Sequence, residues 1–286
     1  MCCFSSYSIK LMCQLVIALL VIVAIQAKTF EVGQLPIELV VVIPSYNNAR
    51  YYKSNLDSII KQTYSHFEII YIDDCSTDQT GQLVEAYIKQ NHLHDKIRVI
   101  HNKKRLGAME NWYNTIHSCA DHKVIVSCDG DDHFYSITAL EKIANAYADK
   151  TTWITYGQYQ NYPDNNIGIC RPFPHYIIQH NLFRQYPFVS SHVRTFYAGL
   201  FKRINVKDLK YKNKFVPVAC DLALMMPMLE MASKNHITFI ADVLYIHNEA
   251  NPINDYKVRL NQFHKVEPVI RTIKPYMPLE NLILFG

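Results

Sequence analysis

The chain has 286 residues, 49% of them hydrophobic and 19% charged, with a net charge of +4. That composition excludes a disordered or collagen-like chain and allows one sizeable buried core. The mild charge gives no reason to expect a nucleic-acid partner, and the 8 scattered glycines form neither a GxGxxG fingerprint nor a P-loop.

Residues 1–27 stand apart. Lys10 precedes an apolar stretch from Leu11 to Ile25, broken by Gln14, and Gln26 and Ala27 follow. The run is about 15 residues, short of the roughly 20 that a spanning helix needs. It reads as a secretory signal peptide; an uncleaved membrane anchor, or the greasy start of a cytosolic chain, are the other readings. The expected location is therefore the secretory lumen or a membrane surface. Beyond this segment the cysteines are Cys75, Cys119, Cys128, Cys170 and Cys220, with no CxxC spacing. Neither a disulfide framework nor a zinc site is expected.

From Glu38 the pattern becomes regular. The spacing predicts a buried strand over Glu38–Ile43, a helix over Asn55–Tyr64 and a strand over Phe67–Ile72. A helix over Thr80–Gln90 follows, capped from Ser76 to Asp78, then a strand over Lys96–Ile100 and a helix over Ala108–Cys119. Lys123–Cys128 is a fourth strand and Leu140–Ala148 a further helix. Four alternations of buried strand and helix mean an α/β fold with a mainly parallel sheet. After residue 150 the signal loosens. Strands are expected over Thr152–Tyr156 and Thr195–Phe201, long loops over 157–190, and a helix over Ala219–Ser233. A strand pair is expected within Ile237–Ile246, and the lysine-rich Lys202–Lys214 reads as a solvated face.

Parallel sheets bind ligands at the carboxyl ends of their strands. Those ends carry Pro44-Ser45-Tyr46-Asn47, Asp73-Asp74, Asn102 to Arg105, and Asp129-Gly130-Asp131-Asp132. If the two acidic groups meet at one edge, up to five carboxylates share a small volume. Their repulsion is relieved by protonation or by a divalent cation, and hard oxygen ligands favour Mg²⁺ or Mn²⁺. With no glycine loop to cradle a diphosphate, a metal bridging carboxylate and diphosphate is the alternative device. Either acidic group alone is more simply a turn or a helix cap. An EF-hand is excluded, because Leu140 stands where its twelfth-position glutamate would be, counting Asp129 as first.

Taken in order, VVVIPSYNNARYYKSNLDSIIKQTYSHFEIIYIDDCSTDQT, HNKKRLGAMENWYNTI and VSCDGDDHFY resemble glycosyltransferase family 2, whose members have the GT-A fold. The resemblance is strong over residues 38–150 and weaker over 190–255. It implies a GT-A domain over 38–250, with a nucleotide-sugar half to 150, an acceptor half beyond it, and residues 251–286 as a C-terminal extension. It implies a metal-dependent, inverting transfer of a sugar from a nucleotide-diphosphate donor to a glycan, lipid or protein acceptor. By position, Pro44 and Tyr46 would flank the base, Asp74 would contact it and Asp73 would support the loop. Arg105 would lie near the base or diphosphate, and Asp129 near the ribose or metal. Asp131 would be the main metal ligand with Asp132 beside it, and His247 a further ligand. Asp221, at the start of a later helix, would be the general base, although Cys220 stands where family members often have a glutamate. His192 and Arg194 would contact diphosphate or acceptor. The only tryptophans are Trp112 and Trp153, so the Gln-x-x-Arg-Trp motif of processive members is missing and addition of a single sugar is expected. A non-catalytic domain that binds nucleotide-sugar or a partner is the alternative; the intact Asp129, Asp131 and Asp221 speak against it. A nucleotidyltransferase would need a glycine-rich basic loop after the first strand, which Pro44–Asn47 does not supply.

Overall fold

Runs of aliphatic and β-branched residues form the centre of the sheet in the computed structural model, which describes residues 36–284. The N-terminal segment read as signal or anchor lies outside the described residues. Within them, no helix is long and apolar enough to cross a membrane.

The first half alternates as the pattern predicts: β1 (Leu39–Ser45), α1 (Tyr52–Ile60), β2 (Phe67–Asp73), α2 (Thr80–Gln90), β3 (Ile97–His101), α3 (Ala108–His117) and β4 (Val124–Ser127). Residues 39–43 of β1 are buried, because helices cover both faces of a parallel sheet. Next come β5 (His133–Phe134), α4 (Ala139–Ala148), β6 (Ile154–Tyr162), α5 (His175–Gln179), β7 (Arg194–Tyr197) and α6 (Ala198–Phe201). The chain ends with a small hairpin of β8 (Lys210–Tyr211) and β9 (Lys214–Phe215), then α7 (Cys220–Met231), β10 (Ile237–Asn248), α8 (Asp255–Val258) and α9 (Leu260–Thr272).

The main sheet has the strand order β3-β2-β1-β4-β7-β6-β10-β5. β1 lies parallel to β2 and β4, and β2 parallel to β3. β7 enters antiparallel between β4 and β6, and β5 antiparallel to β10. The result is the expected α/β class with a mainly parallel sheet flanked by helices. The reversal at β7 matters for the site: a strand running the opposite way delivers its first residue, Arg194, to the carboxyl end of β4.

The second half departs from the pattern in four places. The loops expected over 157–190 are part strand, since β6 continues to Tyr162, and part short helix at α5. The strand expected over Thr195–Phe201 stops at Tyr197 and turns into α6. The expected strand pair is one strand, β10, parallel to β6 and irregular between Ile240 and Val243. The lysine-rich run does expose Lys207, Lys212 and Lys214 to solvent, but it also folds into the β8–β9 hairpin, with left-handed Lys212 and Asn213 at its turn. Among the described residues, Cys75, Cys119, Cys128, Cys170 and Cys220 form no disulfide.

From Ile37 onward the chain forms one unit. The segment beyond 250 packs onto it through Val266 and Ile270, both buried. Glu230, fully buried near the end of α7, accepts hydrogen bonds from Arg184 Nε at 2.6 Å and Nη2 at 2.9 Å, and from the Tyr276 amide at 3.0 Å. Arg184 Nη1 donates to the Ile270 carbonyl at 2.6 Å, and the Leu279 amide to the Met231 carbonyl at 2.9 Å.

Candidate active site

Two loops at the carboxyl edge of the sheet are fastened to each other. Asn47 takes a left-handed conformation after β1, and its Oδ1 accepts the Thr77 amide at 2.8 Å. Asp78 Oδ2 accepts the Ala49 amide at 2.9 Å, while its Oδ1 accepts the Thr80 amide at 3.0 Å. Asp78, one residue before the N-cap Gln79, thus takes the first amide of α2 and ties it to the β1 loop. Pro44 lies within β1, and Tyr46 follows the strand at the rim. The Arg105 guanidinium sits 3.6 Å from the centre of the Tyr46 ring. These two expected base-binding groups, from different loops, therefore form one cation–π pair.

Asp73 and Asp74 have separate tasks. Asp73 Oδ1 accepts the Ser76 amide at 3.2 Å, and its Oδ2 lies 3.4 Å from His101 Nδ1. Asp74 Oδ1 accepts from Asn102 Nδ2 at 2.7 Å and from the Leu106 amide at 2.8 Å; its Oδ2 accepts the Gly107 amide at 2.8 Å. Asp74, expected to contact the base, is here buried and committed to the loop that carries Arg105. Gly107 sits at φ 89°, a conformation open to glycine, as the chain turns into α3.

The Asp129–Asp132 turn is pinned from three sides. Asn55 of α1 donates from Nδ2 to the Asp129 carbonyl at 3.0 Å and the Asp132 carbonyl at 2.8 Å. The Tyr245 hydroxyl accepts the Asp129 amide at 2.8 Å. Gly130 is where the β1 loop presses close: a Cβ there would lie 2.6 Å from Ser45 Oγ and 2.7 Å from Asn48 Nδ2. Asp132 is buried, with Oδ1 accepting the Asn248 amide at 2.7 Å and Oδ2 lying 3.1 Å from His247 Nδ1. Asp131 Oδ2 accepts Asn251 Nδ2 at 2.6 Å.

Around this turn the rings of His192 and His247 stack at 4.8 Å, and those of His192 and Tyr245 at 5.2 Å. Asp129 Oδ2 lies 3.6 Å from His192 Nε2 and 3.5 Å from Arg194 Nη2. Arg194 is buried; its Nε and Nη2 donate to Ser127 Oγ at 3.3 and 3.1 Å. Its Nη1 reaches Asp221 Oδ2 at 3.8 Å. Asp221 stands in the first turn of α7, just after Ala219, which is held at φ 56°.

These groups polarise one another. The protein crowded around the partly exposed Asp129 carboxyl would raise it, but His192 and Arg194 outweigh this and hold it well below the usual carboxylate range. Burial, with the charges of Asp132 and Asp129, pushes Asp131 up to about 7 despite the bond from Asn251. Burial opposes the charged form of His247, yet Asp132, Asp129 and Asp131 raise it to about 9. Burial lowers His192, helped by the nearby Arg194 and His247 charges.

Asp132, His192 and His247 each bring one donor atom into a cluster whose members lie within 4.8 Å of one another. Of the expected ligands Asp129, Asp131 and His247, this cluster contains His247; β10 sets His247 and Asn248 on Asp132, and Asn251 donates to Asp131. His192, two residues before β7, lies beside Asp129. A mixed carboxylate and imidazole set beside a crowded, raised carboxyl suits a divalent transition metal. Asn55, Asn248, Asn251 and Tyr245 escaped the sequence reading as site residues, while Asn102 was placed only as part of a strand end. An asparagine inside a helix or a loop gives no pattern, although Tyr245 and His247 share one strand run.

The comparisons with known proteins agree with this architecture. The family model described as glycosyl transferase family 2 matches residues 40–205. Glycosyltransferase GlyG of Streptococcus pneumoniae is 32% identical over 126 residues, 44% of this chain and 40% of that protein. The poly(ribitol-phosphate) beta-N-acetylglucosaminyltransferase TarS of Staphylococcus aureus is 33% identical over 106 residues, 36% of this chain and 18% of that protein. The matches thus span well under half of these relatives. Among solved structures, S. aureus TarS 1-349 in complex with UDP-GlcNAc has a TM-score of 0.57 at 21% identity, covering 82% of this chain and 65% of that one. The mannosyltransferase PcManGT from Pyrobaculum calidifontis, in complex with GDP-Man and Mn2+, has a TM-score of 0.52 at 19% identity, covering 85% and 68%. At those identities the likeness is one of fold. With a family match over more than half of its length, the chain belongs to glycosyl transferase family 2.

Proposed function

We propose that the protein is a glycosyltransferase that moves a single sugar from a nucleotide-diphosphate donor to an acceptor hydroxyl, with inversion at the anomeric carbon. The observation that carries this is the position of Arg194, 3.5 Å from Asp129 on one side and 3.8 Å from Asp221 on the other. One guanidinium joins the carboxylate turn of the donor side to the carboxylate opening α7. A donor held at the turn would present its anomeric carbon toward the space that Asp221 faces.

The roles follow from chemistry. Tyr46 and Arg105 offer a stacked pair for a nucleobase, which Pro44, two residues before Tyr46, would also flank. Asp74 acts by holding the Arg105 loop, and Asp73 by bracing the turn into α2. Asp132, His192 and His247, with Asp129 and Asp131 at hand, would hold a divalent cation. The imidazoles favour Mn²⁺ over Mg²⁺, and PcManGT carries Mn2+ with its GDP-Man. When bound, such a cation supplies charge stabilisation to a departing diphosphate. Asp221 takes the proton from the acceptor hydroxyl as its oxygen bonds to the anomeric carbon; the bond from that carbon to the diphosphate breaks and its electron pair leaves with the diphosphate. Arg194 fixes Asp221 in place and offsets its charge. The acceptor is a glycan, lipid or protein hydroxyl; TarS, by its name, acts on poly(ribitol-phosphate).

The test is a donor panel containing UDP-GlcNAc and GDP-mannose with Mn²⁺, read by nucleotide release and by NMR of the product anomer. An α-linked donor should yield a β-linked product. A product with retained configuration would refute the single displacement. Donor uptake without turnover in any acceptor mixture would favour the non-catalytic reading.

A further inference from the structure

The lysine-rich run between α6 and α7 takes no part in the reaction proposed above. Residues 203–214 hold five basic side chains, Arg203, Lys207, Lys210, Lys212 and Lys214, against one acid, Asp208. Five against one leaves +4, the net charge of the whole chain, so the remaining residues balance to zero. The run is built into the fold. Leu209 is fully buried, and its carbonyl accepts the Val216 amide at 3.0 Å, just outside the β8–β9 pairing. The Phe215 ring lies 5.2 Å from that of Tyr113 on α3. The Lys210 ammonium lies 5.3 Å from the Phe215 ring, and the Lys212 ammonium 5.3 Å from the Tyr211 ring. Both rings pack against the core, while Arg203, Lys207, Lys212 and Lys214 are exposed.

These cations lack an anion. Lys53, Lys123 and Lys142 elsewhere have carboxylate oxygens at 2.5–2.8 Å, and Lys202, just before the run, has Asp121 at 2.7 Å. Among the described residues, none of the five has an ion-pair partner. The one acid of the run, Asp208, accepts the Tyr276 hydroxyl at 2.6 Å instead. Like charges gathered on one small hairpin repel, and a polyanion laid across them relieves the repulsion. The hairpin also adjoins the acceptor side of the site. Cys220 Sγ donates to the Val216 carbonyl at 3.6 Å, which folds the end of the hairpin back onto the first turn of α7. Followed through that contact, the Lys214 backbone is at most about 20 Å from that of Asp221.

The surroundings of the charges say which polyanion. Among the described residues, no exposed large apolar side chain lies between residues 177 and 252, so the hairpin has nothing to insert into a bilayer. Its two rings are packed inward beneath their lysines, so it offers no open stacking platform to a single-stranded nucleic acid. Four of the five cations are lysines, compact point charges on flexible stems. They suit anionic groups repeated along a flexible polymer better than one rigid, bidentate anion.

We infer that the β8–β9 hairpin is the docking surface for an anionic acceptor, a glycan chain bearing phosphate or carboxylate groups, and leads its hydroxyl toward Asp221. The acceptor role rests on the transfer reaction proposed above; the binding of the chain does not.

Labelled oligogalacturonate is the carboxylate probe and labelled inorganic polyphosphate the phosphate probe, each followed by fluorescence anisotropy on the full chain without nucleotide. At least one should bind, with affinity falling steeply between about 20 and about 200 mM NaCl. Lys212→Gln combined with Lys214→Gln should weaken binding about threefold to tenfold, the size of two exposed ionic contacts. Lys212→Arg combined with Lys214→Arg should retain it. Lys53→Gln combined with Lys61→Gln, on the far lysines of α1 and its end, should bind as the wild type does. In transfer assays, an anionic glycan that accepts sugar should show a raised KM and an unchanged kcat in the glutamine variant of the hairpin. Binding of neither probe would overturn the proposal. So would an equal loss in the Lys53/Lys61 variant, an unchanged KM, or tighter capture of polyglutamate or phosphatidylglycerol vesicles than of either probe. Binding is read without donor, so a failure of sugar transfer and a failure of this surface are told apart.

Discussion

Arg194 Nη1 lies 3.8 Å from the Asp221 carboxylate, joining the strand that follows His192 to the first turn of α7. The guanidinium is buried, and α7 brings its first-turn acid to it. Replacing the proposed base by its isosteric amide separates binding from chemistry. Asp221→Asn should bind donor as the wild type does and lose about 10²–10⁴-fold in transfer rate. Calorimetry for donor and initial rates for transfer read the two quantities apart; wild-type turnover would remove Asp221 from its role.

Arg194 itself is held by burial, Ser127, Asp129 and Asp221. Arg194→Gln leaves two carboxylates facing each other without their shared cation. Breaking a buried charge pair costs about 3–5 kcal/mol, and the half-exposed Asp129 puts the expected loss at the lower end. Urea unfolding measures it, and an unchanged midpoint would show that the guanidinium carries no structural charge balance.

Asn55 is a helix residue whose side chain serves another loop. Asn55→Leu removes two hydrogen bonds to the carbonyls of Asp129 and Asp132. The expected cost is about 2–3 kcal/mol, from two lost bonds and their buried acceptors. Donor affinity should fall with it, because the acidic turn loses its anchor. Thermal unfolding and donor titration of the same variant give both numbers, and normal affinity would detach Asn55 from the site.

Ala219 pays for its left-handed backbone at the entry to α7. Ala219→Gly relieves a strain of about 1 kcal/mol, partly offset by the greater freedom of an unfolded glycine. The variant should unfold at equal or slightly higher denaturant, yet transfer more slowly as the Asp221 turn loosens. A clear loss of stability would show that the methyl group packs favourably enough to outweigh the strain.

His101 provides a pH signature away from the cluster. Its pKa is raised, first by the bond to Glu85; burial opposes this, and Asp73 adds a further rise. A raised folded value means the stabilisation is complete below the unfolded value of about 6.5 and is lost as pH rises through the folded one. His101 is half-exposed, so the gain stays under about 1 kcal/mol. The stability gap between wild type and His101→Gln should be widest near pH 5.5 and close above the raised pKa. A gap that widens toward alkaline pH would contradict this pairing.

The first half of the fold was legible because strands buried on both faces, such as Leu39–Ile43, read as unbroken apolar runs. β6 hid its second part because Gln158, Gln160 and Asn161 look like loop residues, although their backbone pairs with β10. β10 looked like two strands because the exposed Ala241-Asp242 sits at its irregularity, where a turn would be equally at home. In the site, the Asp129–Asp132 turn, Arg194, Asp221 and His247 were all visible as residue types at strand and helix ends. The ligand cluster was not, since which carboxylate meets which imidazole depends on the register of β5 against β10. Asp74 could be placed but not its partners, because backbone amides leave no mark in a sequence.

The tie between Glu230, Arg184 and the Tyr276 amide has a practical consequence for anyone cutting this gene. The stretch recognised by kinship ends near residue 205, and a designer would be tempted to stop a little beyond β10. Such a fragment would expose the underside of the helix that presents Asp221, strip its buried acid of a backbone donor and its arginine of the Ile270 carbonyl, and free Asp131 from Asn251. Inheritance and mechanical integrity have different borders in this molecule, and expression boundaries should follow the second.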